Sequence, residues 1–577
     1  MTVKTMKRIF SYAAKYRKNF VLAVIFAVIG VAGSLLVPIL TGRAIDHIVG
    51  KNDVQFDRIL RILLTLAASV IISSISQWIM TKNSNILSSL TARDIRDQYL
   101  EKLSRVPVGF VDSRSRGDLI SRASVDIETV SDALTQGFTQ FLTGIVTIAG
   151  TLIFMVCIDL KISLIVIVLT PLSLAAAWII TKLTHNAFTD QSTVRGNLSG
   201  LADEMIKNQN LVEAFDYTEK AEERFEAIND RFGSSGLKAT FLSSMTNPVT
   251  RFINGIIYAL VGMFGALSVV KGRITVGTLV SFLSYANQYT KPFNEISGVV
   301  SELQNALASA ERVFAVIDSD DEESDAGKPL LEDPDGSVLF DNISFSYVPE
   351  KPLLTDITID VKPGQRVAIV GPTGCGKTTL INLIMRFYDT TDGSVIISGK
   401  NVRDVTRNSL RSCFGMVLQE TWLFNGTIRE NIAYGKPDAT EDEIIKAAKA
   451  AHAHSFIKRL PEGYDTVIGE NGGSLSQGQK QLLTIARIML TDPPMLILDE
   501  ATSNIDIRTE VKIQKAFEEL MKGKTSFIIA HRLSTIRNSD MILVMEQGRI
   551  IERGNHDQLI AARGTYYSLY TGAFELK

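Results

Sequence analysis

Cysteine is nearly absent from the 577 residues: Cys157, Cys375 and Cys413 lie far apart and form no ligand spacing. That excludes a disulfide-stapled fold and a cysteine-built metal site, and it predicts free thiols in a reducing compartment. A net charge is lacking as well. Sixty basic against 62 acidic residues leave −2, which gives no electrostatic footprint for nucleic acid, so no nucleic-acid partner is expected. After Lys291 no long uncharged apolar run occurs. Before it there are six: 20–40, 62–81, 133–158, 162–181, 252–270 and 274–290. Their lengths of 17 to 26 residues are those needed to cross, as helices, a bilayer core of about 30 Å.

The basic residues Lys4, Lys7, Arg8, Lys15, Arg17 and Lys18 precede the first run as in a signal peptide. That run is too long for an h-region, and no small-residue cleavage site closes it, so a retained first span with a cytosolic N-terminus is expected. Residues 1–18 read as an amphipathic helix along the membrane surface. The connections 82–132 and 182–251 are long, rich in helix formers and almost free of proline, which predicts helical hairpins extending into the cytosol. Pro107–Asp118 and Leu211–Tyr217 are candidate hairpin tips that dock on another domain. The expected membrane domain is 1–317, followed by an acidic linker over 318–336 that contains Asp318-Ser-Asp-Asp-Glu-Glu-Ser-Asp325.

From Ser337 short strands alternate with helices, the pattern of an α/β domain over 337–577. Its organising stretch is Val367-Ala-Ile-Val-Gly-Pro-Thr-Gly-Cys-Gly-Lys-Thr-Thr-Leu380, a strand, a glycine-rich turn and a helix start. In such a loop the backbone N–H groups of Gly371, Thr373, Gly374, Cys375, Gly376 and Thr379 can converge on phosphates. Lys377 reaches the β- and γ-phosphates, and the Thr378 hydroxyl can ligate Mg²⁺. Tyr347 is placed to stack on an adenine. Met495-Leu-Ile-Leu498 ends in Asp499-Glu500, where Asp499 can hold Mg²⁺ and Glu500 can polarise the attacking water. The strand Ser526–Ala530 delivers His531 toward a γ-phosphate, and Gln419 follows the strand Phe414–Leu418. His452 and His454 have no further ligands nearby and read as an exposed helix.

Taken in order, Tyr347, the loop 371–379, Gln419, Leu475-Ser-Gln-Gly-Gln479, Asp499-Glu500, Ser503-Asn-Ile-Asp506 and His531 resemble the ATP-binding domain of an ABC transporter. Six spans followed by such a domain resemble a half-size exporter, as do 419–432 and Thr466-Val-Ile-Gly-Glu470. The resemblance implies ATP and Mg²⁺ as cofactors and Glu500, His531 and Gln419 as catalytic groups. It implies Mg²⁺ held by Thr378, Gln419 and Asp499. It also implies that ATP is closed in between two domains by Ser476, Gly478, Gln479 and Asp506 of the opposing one.

One departure stands out: Gln477 occupies the position where the family's LSGGQ signature has a glycine. A side chain at a close-approach position weakens contact with the opposing nucleotide. With this chain's own catalytic residues complete, a heterodimer is expected over a homodimer, the second half-transporter being the partner. The function implied is ATP-driven export of an amphipathic solute (drug, peptide or lipid) across the cytoplasmic membrane. A lipid flippase or floppase and a membrane-tethered regulatory ATPase are the alternatives. Gln77, Trp78, Gln136, Gln140, Asn254 and the cluster Tyr285, Asn287, Gln288 and Tyr289 are candidates for the lining of a substrate cavity.

Overall fold

A computed structural model describes residues 2–48, 54–418, 421–469, 473, 475–499, 505–529 and 536–571. The chain divides into two compact units, 1–105 with 114–320, and 106–113 with 321–577.

The first unit is helical. Helix α1 (Thr2–Ala13) turns into α2 (Arg17–Asp46), and α3 (Phe56–Leu103) follows. The short helix α4 (Val108–Asp112) belongs to the second unit. Helices α5 (Arg116–Ser121), α6 (Ile127–Asp132) and α7 (Phe138–Ile158) run on as one rod, joined by π-helical turns at Arg122–Asp126 and Ala133–Gly137. Then come α8 (Leu160–Lys207), α9 (Gln209–Ala214), α10 (Thr218–Val270) and α11 (Val276–Ile317). The breaks follow capping chemistry: Asp159 accepts from the N–H groups of Lys161 and Ile162 at the start of α8, and Thr275 from that of Thr278 at the start of α11. Among the described residues, four helical stretches are long and apolar enough to cross a membrane: Lys4–Asp46, Phe56–Leu103, Arg116–Ile158 and Thr218–Val270, with Leu160–Leu172 a shorter apolar one.

Small residues let α2 and α3 approach, and the Ser73 hydroxyl donates to the Gly30 carbonyl at 2.8 Å. Helix α1 is tied down by its polar side. Arg8 forks onto Asp318 at 2.6 and 2.7 Å, Tyr12 donates to Gln98, and Lys15 pairs with Asp94 at 3.2 Å.

The second unit begins with β1 (Val338–Phe345) and β2 (Leu354–Val361), continues through β3 (Arg366–Val370) and α12 (Lys377–Ile384), and then forms β4 (Asp392–Ile397) and β5 (Lys400–Asn401). Where the sequence pattern suggests two strands, 338–340 and 343–347, the chain forms the single strand β1. Its register shifts between Phe340, Ile343 and Phe345, which leaves Tyr347 beyond the strand end. Helix α13 (Arg407–Ser412) and β6 (Phe414–Val417) lead to a mostly helical part. It holds β7 (Gly426–Thr427), α14 (Ile428–Ala433), α15 (Glu441–Ala450), α16 (His454–Ile457), β8 (Val467–Ile468) and α17 (Gln477–Thr491). The chain returns through β9 (Met495–Asp499), α18 (Ile507–Leu520), β10 (Thr525–Ile529), β11 (Met541–Glu546) and β12 (Arg549–Gly554). The main sheet has the order β12-β11-β3-β10-β9-β6, with β11, β3, β10, β9 and β6 parallel, and a second sheet β2-β1-β4-β5 is antiparallel. Parallel strands buried on both faces read as continuous apolar runs, as Val367–Val370 and Met495–Leu498 do.

The acidic run is not a solvated tether. The Arg407 guanidinium and backbone N–H both bind Asp325 at 2.6 Å, and the fully buried Arg386 donates to Glu323 at 2.9 Å. Burial works against the Asp325 carboxylate, but the Arg407 N–H and guanidinium outweigh it and hold the group below its ordinary range.

Candidate functional site

Strand β3 runs straight into the glycine-rich turn. Gly371, Gly374 and Gly376 take φ of 153°, 84° and 103°, the left-handed side that a Cβ disfavours. A Cβ on Gly371 would run into the Met545 carbonyl, and one on Gly376 would lie 2.5 Å from Leu354 Cδ2. Gly376 then opens α12, whose first N–H groups have no intrahelical partner and form an anion seat. Lys377 folds over the turn, Nζ donating to the carbonyls of Gly371 at 2.8 Å and Pro372 at 3.0 Å. Those bonds hold an ammonium at the mouth of the loop. Thr373, Gly374 and Thr378 are exposed there, and Cys375 and Thr379 are buried beneath.

Tyr347 is held at the rim, half-exposed. Its hydroxyl lies 3.2 Å from Thr379 Oγ1 and accepts from Asn382 at 3.3 Å, and its ring meets Phe345 and Tyr388 edge-on at 4.9 and 5.0 Å between centroids. This fixes the ring plane while leaving surface for a flat base. Asp499 closes β9. It pairs in register with Ile529 of β10, which pairs with Ile369 of β3, so the carboxylate stands at the same sheet edge as the loop. One carboxylate and the Thr378 hydroxyl are hard oxygen donors. They suit Mg²⁺, which keeps waters and phosphate oxygens for the rest of its shell. Gln419, Glu500, Ser503, Asn504 and His531 lie outside the described residues.

The Leu475–Gln479 stretch sits elsewhere. Ser476 caps α17 in a reciprocal box: its hydroxyl accepts from the Gln479 N–H at 3.3 Å, and the Gln479 side chain accepts from the Ser476 N–H at 2.9 Å. Helix α17 packs with α14, α15, α18 and β6 in one hydrophobic core, whereas Leu380, Ile381 and Leu383 of α12 belong to another. Gln477 is exposed and donates to Thr421 Oγ1 at 3.2 Å. The close approach falls one residue later, because a Cβ on Gly478 would run into the Thr509 methyl and lie 3.1 Å from Ile505 Cγ2. Gly478→Ala is therefore expected to cost about 1–3 kcal/mol by overpacking, while Gln477→Ala stays within about 0.5 kcal/mol. Thermal unfolding of the two purified variants checks the contrast. Asp506 caps α18 through the Thr509 N–H at 3.0 Å; that bond and the Thr509 hydroxyl hold its carboxylate below the usual range.

Two partners were not legible beforehand. Tyr388 donates to Asp112 of α4 at 2.8 Å, and burial, then that hydrogen bond, push its phenol up, so it remains a neutral donor. A Cβ on Gly109 of α4 would lie 2.9 Å from the same ring. The tip 107–118 thus contributes a helix to the nucleotide-loop unit, whereas in α9 and beyond it Phe215 is 76% exposed. His454 bonds the Tyr464 hydroxyl at 2.7 Å, and no cluster of metal-ligating side chains occurs among the described residues.

In the helical unit a cavity of about 760 Å³ is framed by α2, α3, α7 and α11. Of the residues suggested by sequence, Gln77, Trp78 and Gln288 line it, and Gln136, Gln140, Asn254 and Asn287 do not. Tyr285 and Tyr289 are buried in the helix core instead; Tyr285 stacks on Phe154 at 5.5 Å and donates to the Leu35 carbonyl.

Residues 20–293 match the family model described as ABC transporter transmembrane region, and 354–503 the one described as ABC transporter. The chain is 43% identical over 523 residues to a fatty acid ABC transporter ATP-binding/permease protein of Mycobacterium bovis (strain ATCC BAA-935 / AF2122/97), covering 91% of this chain and 83% of that one. It is 40% identical to the ABC transporter ATP-binding protein YfiC of Bacillus subtilis (strain 168), covering 100% and 95%. A solved bacterial Atm1-family ABC exporter with ATP bound superposes with a TM-score of 0.79 at 28% identity, over 98% of this chain and 99% of that one.

Proposed function

The chain belongs to the ABC transporter family as a half-size exporter, an integral membrane protein that couples ATP hydrolysis to export, and from that premise we propose how its residues share the work. The observation that carries the reading is the separation of the two nucleotide-facing sets within one chain. The glycine-rich loop rests on one core and the Ser476 helix start on another. A nucleotide held by Lys377 and the loop is therefore covered by Ser476, Gly478 and Gln479 of a second half-transporter, whose helix start faces the γ-phosphate. ATP joins the two domains, and hydrolysis removes the bridging phosphate and lets them part, switching the membrane helices between inward and outward access.

Within the site, Tyr347 stacks on the base, Thr378, Asp499 and Gln419 hold Mg²⁺, His531 contacts the γ-phosphate and Asp506 faces the opposing domain. Mg²⁺ held by these residues would supply charge neutralisation on the phosphates. Glu500 accepts the proton of the attacking water. The six apolar runs are six spans of the cytoplasmic membrane, with the N-terminus and the ATP site in the cytosol. The cargo is an amphipathic solute, the class to which the fatty acid in the mycobacterial relative's name belongs.

The partner is a different half-transporter. Gln477 leaves this chain's own fold undisturbed, so its effect falls on the nucleotide of the opposing site, whereas Lys377, Asp499 and Glu500 equip this chain's own site. The test is reconstitution. The chain alone and with its partner goes into liposomes, and ATPase and ATP-dependent uptake of a fluorescent amphiphile are followed. The pair is expected to pump and the single chain to hydrolyse little. Full substrate-stimulated ATPase from the single chain would remove the heterodimer, and absence of vectorial uptake by any pairing would remove the export of amphiphiles.

A further inference from the structure

We propose that the cavity between α2, α3, α7 and α11 selects amphiphiles with an anionic head, and that Lys291 is the residue that reads the charge; this rests on the export reading and names the class of its cargo. The lining is polar in a particular way. The Ser34, Ser73 and Thr143 hydroxyls give their protons to the carbonyls of Val31, Gly30 and Thr139, and the Gln77 and Gln288 amides and the Thr147 hydroxyl are groups of the lining that can donate to an anion. Among the described residues no carboxylate lines the space, and Lys291 is the only ionisable one that does. A second lysine flanks one wall: Lys82 lies over the ring of Trp78, its ammonium 5.3 Å from the centroid, and Trp78, 64% exposed, lines the cavity. Among the described residues neither lysine forms an ion pair.

Depth adds the second argument. Lys82 and Lys291 are each the first charged residue after an apolar run, 62–81 on α3 and 274–290 on α11. They therefore stand at the edge of the hydrocarbon layer, where the head of an amphiphile sits while its chain remains among apolar groups. A cation at that edge carries a desolvation cost that a carboxylate or phosphate head relieves, with the Gln77 and Gln288 amides able to complete the oxygen's hydrogen bonds. A quaternary ammonium head meets the like charge of Lys291 instead. Trp78, Val31 and Pro292 offer apolar surface for the start of the chain.

The complete exporter in phosphatidylcholine nanodiscs supplies the test. ATPase is titrated with dodecyl phosphate, dodecanoate, dodecyltrimethylammonium and inorganic phosphate, the alkyl compounds below their micelle concentrations. Both alkyl anions are expected to stimulate saturably, the cation and inorganic phosphate not. Lys291→Gln raises the half-saturating concentration of both anions about tenfold and Lys291→Arg restores it, as expected for a charge-assisted bond. Head-group selectivity of the unmodified protein is an independent readout should the Gln variant fold poorly. Equal stimulation by dodecyltrimethylammonium, stimulation by inorganic phosphate alone, no response to any alkyl probe while hydrolysis persists, or an equal shift for all probes in Lys291→Gln each overturns the proposal. The first and last of these leave ATP-driven export standing; an assembly without ATPase would instead remove the export reading itself.

Discussion

Glu500→Gln protein will bind ATP as the unmodified chain does and turn it over at least about a hundredfold more slowly. The substitution keeps the size and the hydrogen-bonding reach of the side chain and removes only its ability to accept a proton. The neighbouring strand end supplies the context: Asp499 stands in register, through Ile529, with Ile369 just before the glycine-rich loop. Asp499, the last residue of its strand, thus stands at the same sheet edge as that loop. Nucleotide affinity measured by a fluorescent ATP analogue, beside single-turnover hydrolysis, separates the two effects. Hydrolysis at the normal rate would end the role of Glu500 as base. In a heterodimer the loss falls on the competent site, so transport stops with it, and the closed, ATP-joined state accumulates.

Arg386→Met is expected to lower stability by about 3–5 kcal/mol, the cost of removing one partner from a buried charge network. The side chain is 1% exposed and donates to Asp389 at 3.1 Å, to Glu323 at 2.9 Å and to the carbonyls of Val402, Arg403 and Val405 at 3.1 to 3.4 Å. None of these acceptors finds a donor in methionine. The backbone argues the same way. Arg386 sits at φ 49° just past the end of α12, where the Phe387 N–H returns to the Asn382 carbonyl, a place that favours glycine. An arginine persists there for its side chain. Arg386→Gly relaxes the backbone yet keeps most of the deficit, so the unfolding midpoints of both variants should fall, by about 10 °C for methionine. A Met variant that melts with the unmodified protein would show that the acidic strap contributes nothing. The paired carboxylate Asp325 gives a pH signature: its depressed value means that its contribution is present above the ordinary carboxylate range and is lost as pH falls through the folded value.

Much of the nucleotide site was legible because its chemistry is local. A loop that must approach phosphate without side chains spells itself in glycines within eight residues, and the structure finds Gly371, Gly374 and Gly376 at positive φ. Helix caps are equally local: in the structure Ser476 caps α17 and Asp506 caps α18, each through an N–H three residues onward. The acidic run reads differently in the two views. Its composition matches a solvated linker, but its partners Arg386 and Arg407 lie 63 to 84 residues onward, and no short-range pattern encodes such a pairing. Gln477 is a similar case. A family pattern marks it as the odd residue, while the steric demand inside this chain falls on Gly478.

The cavity lining shows where the boundary lies. The order of apolar runs, the turn chemistry and the phosphate loop were determined by the sequence itself, since each depends on residues within a few positions of one another. Which side of α11 faces the cavity was decided only by the tertiary structure. Tyr285 and Tyr289, four residues apart, share the face packed on Phe154 and Leu35, while Gln288, Lys291 and Pro292 share the face that opens to the cavity. An apolar helix in a membrane has no polar stripe to announce its orientation, so the neighbours it packs against choose which residues are buried.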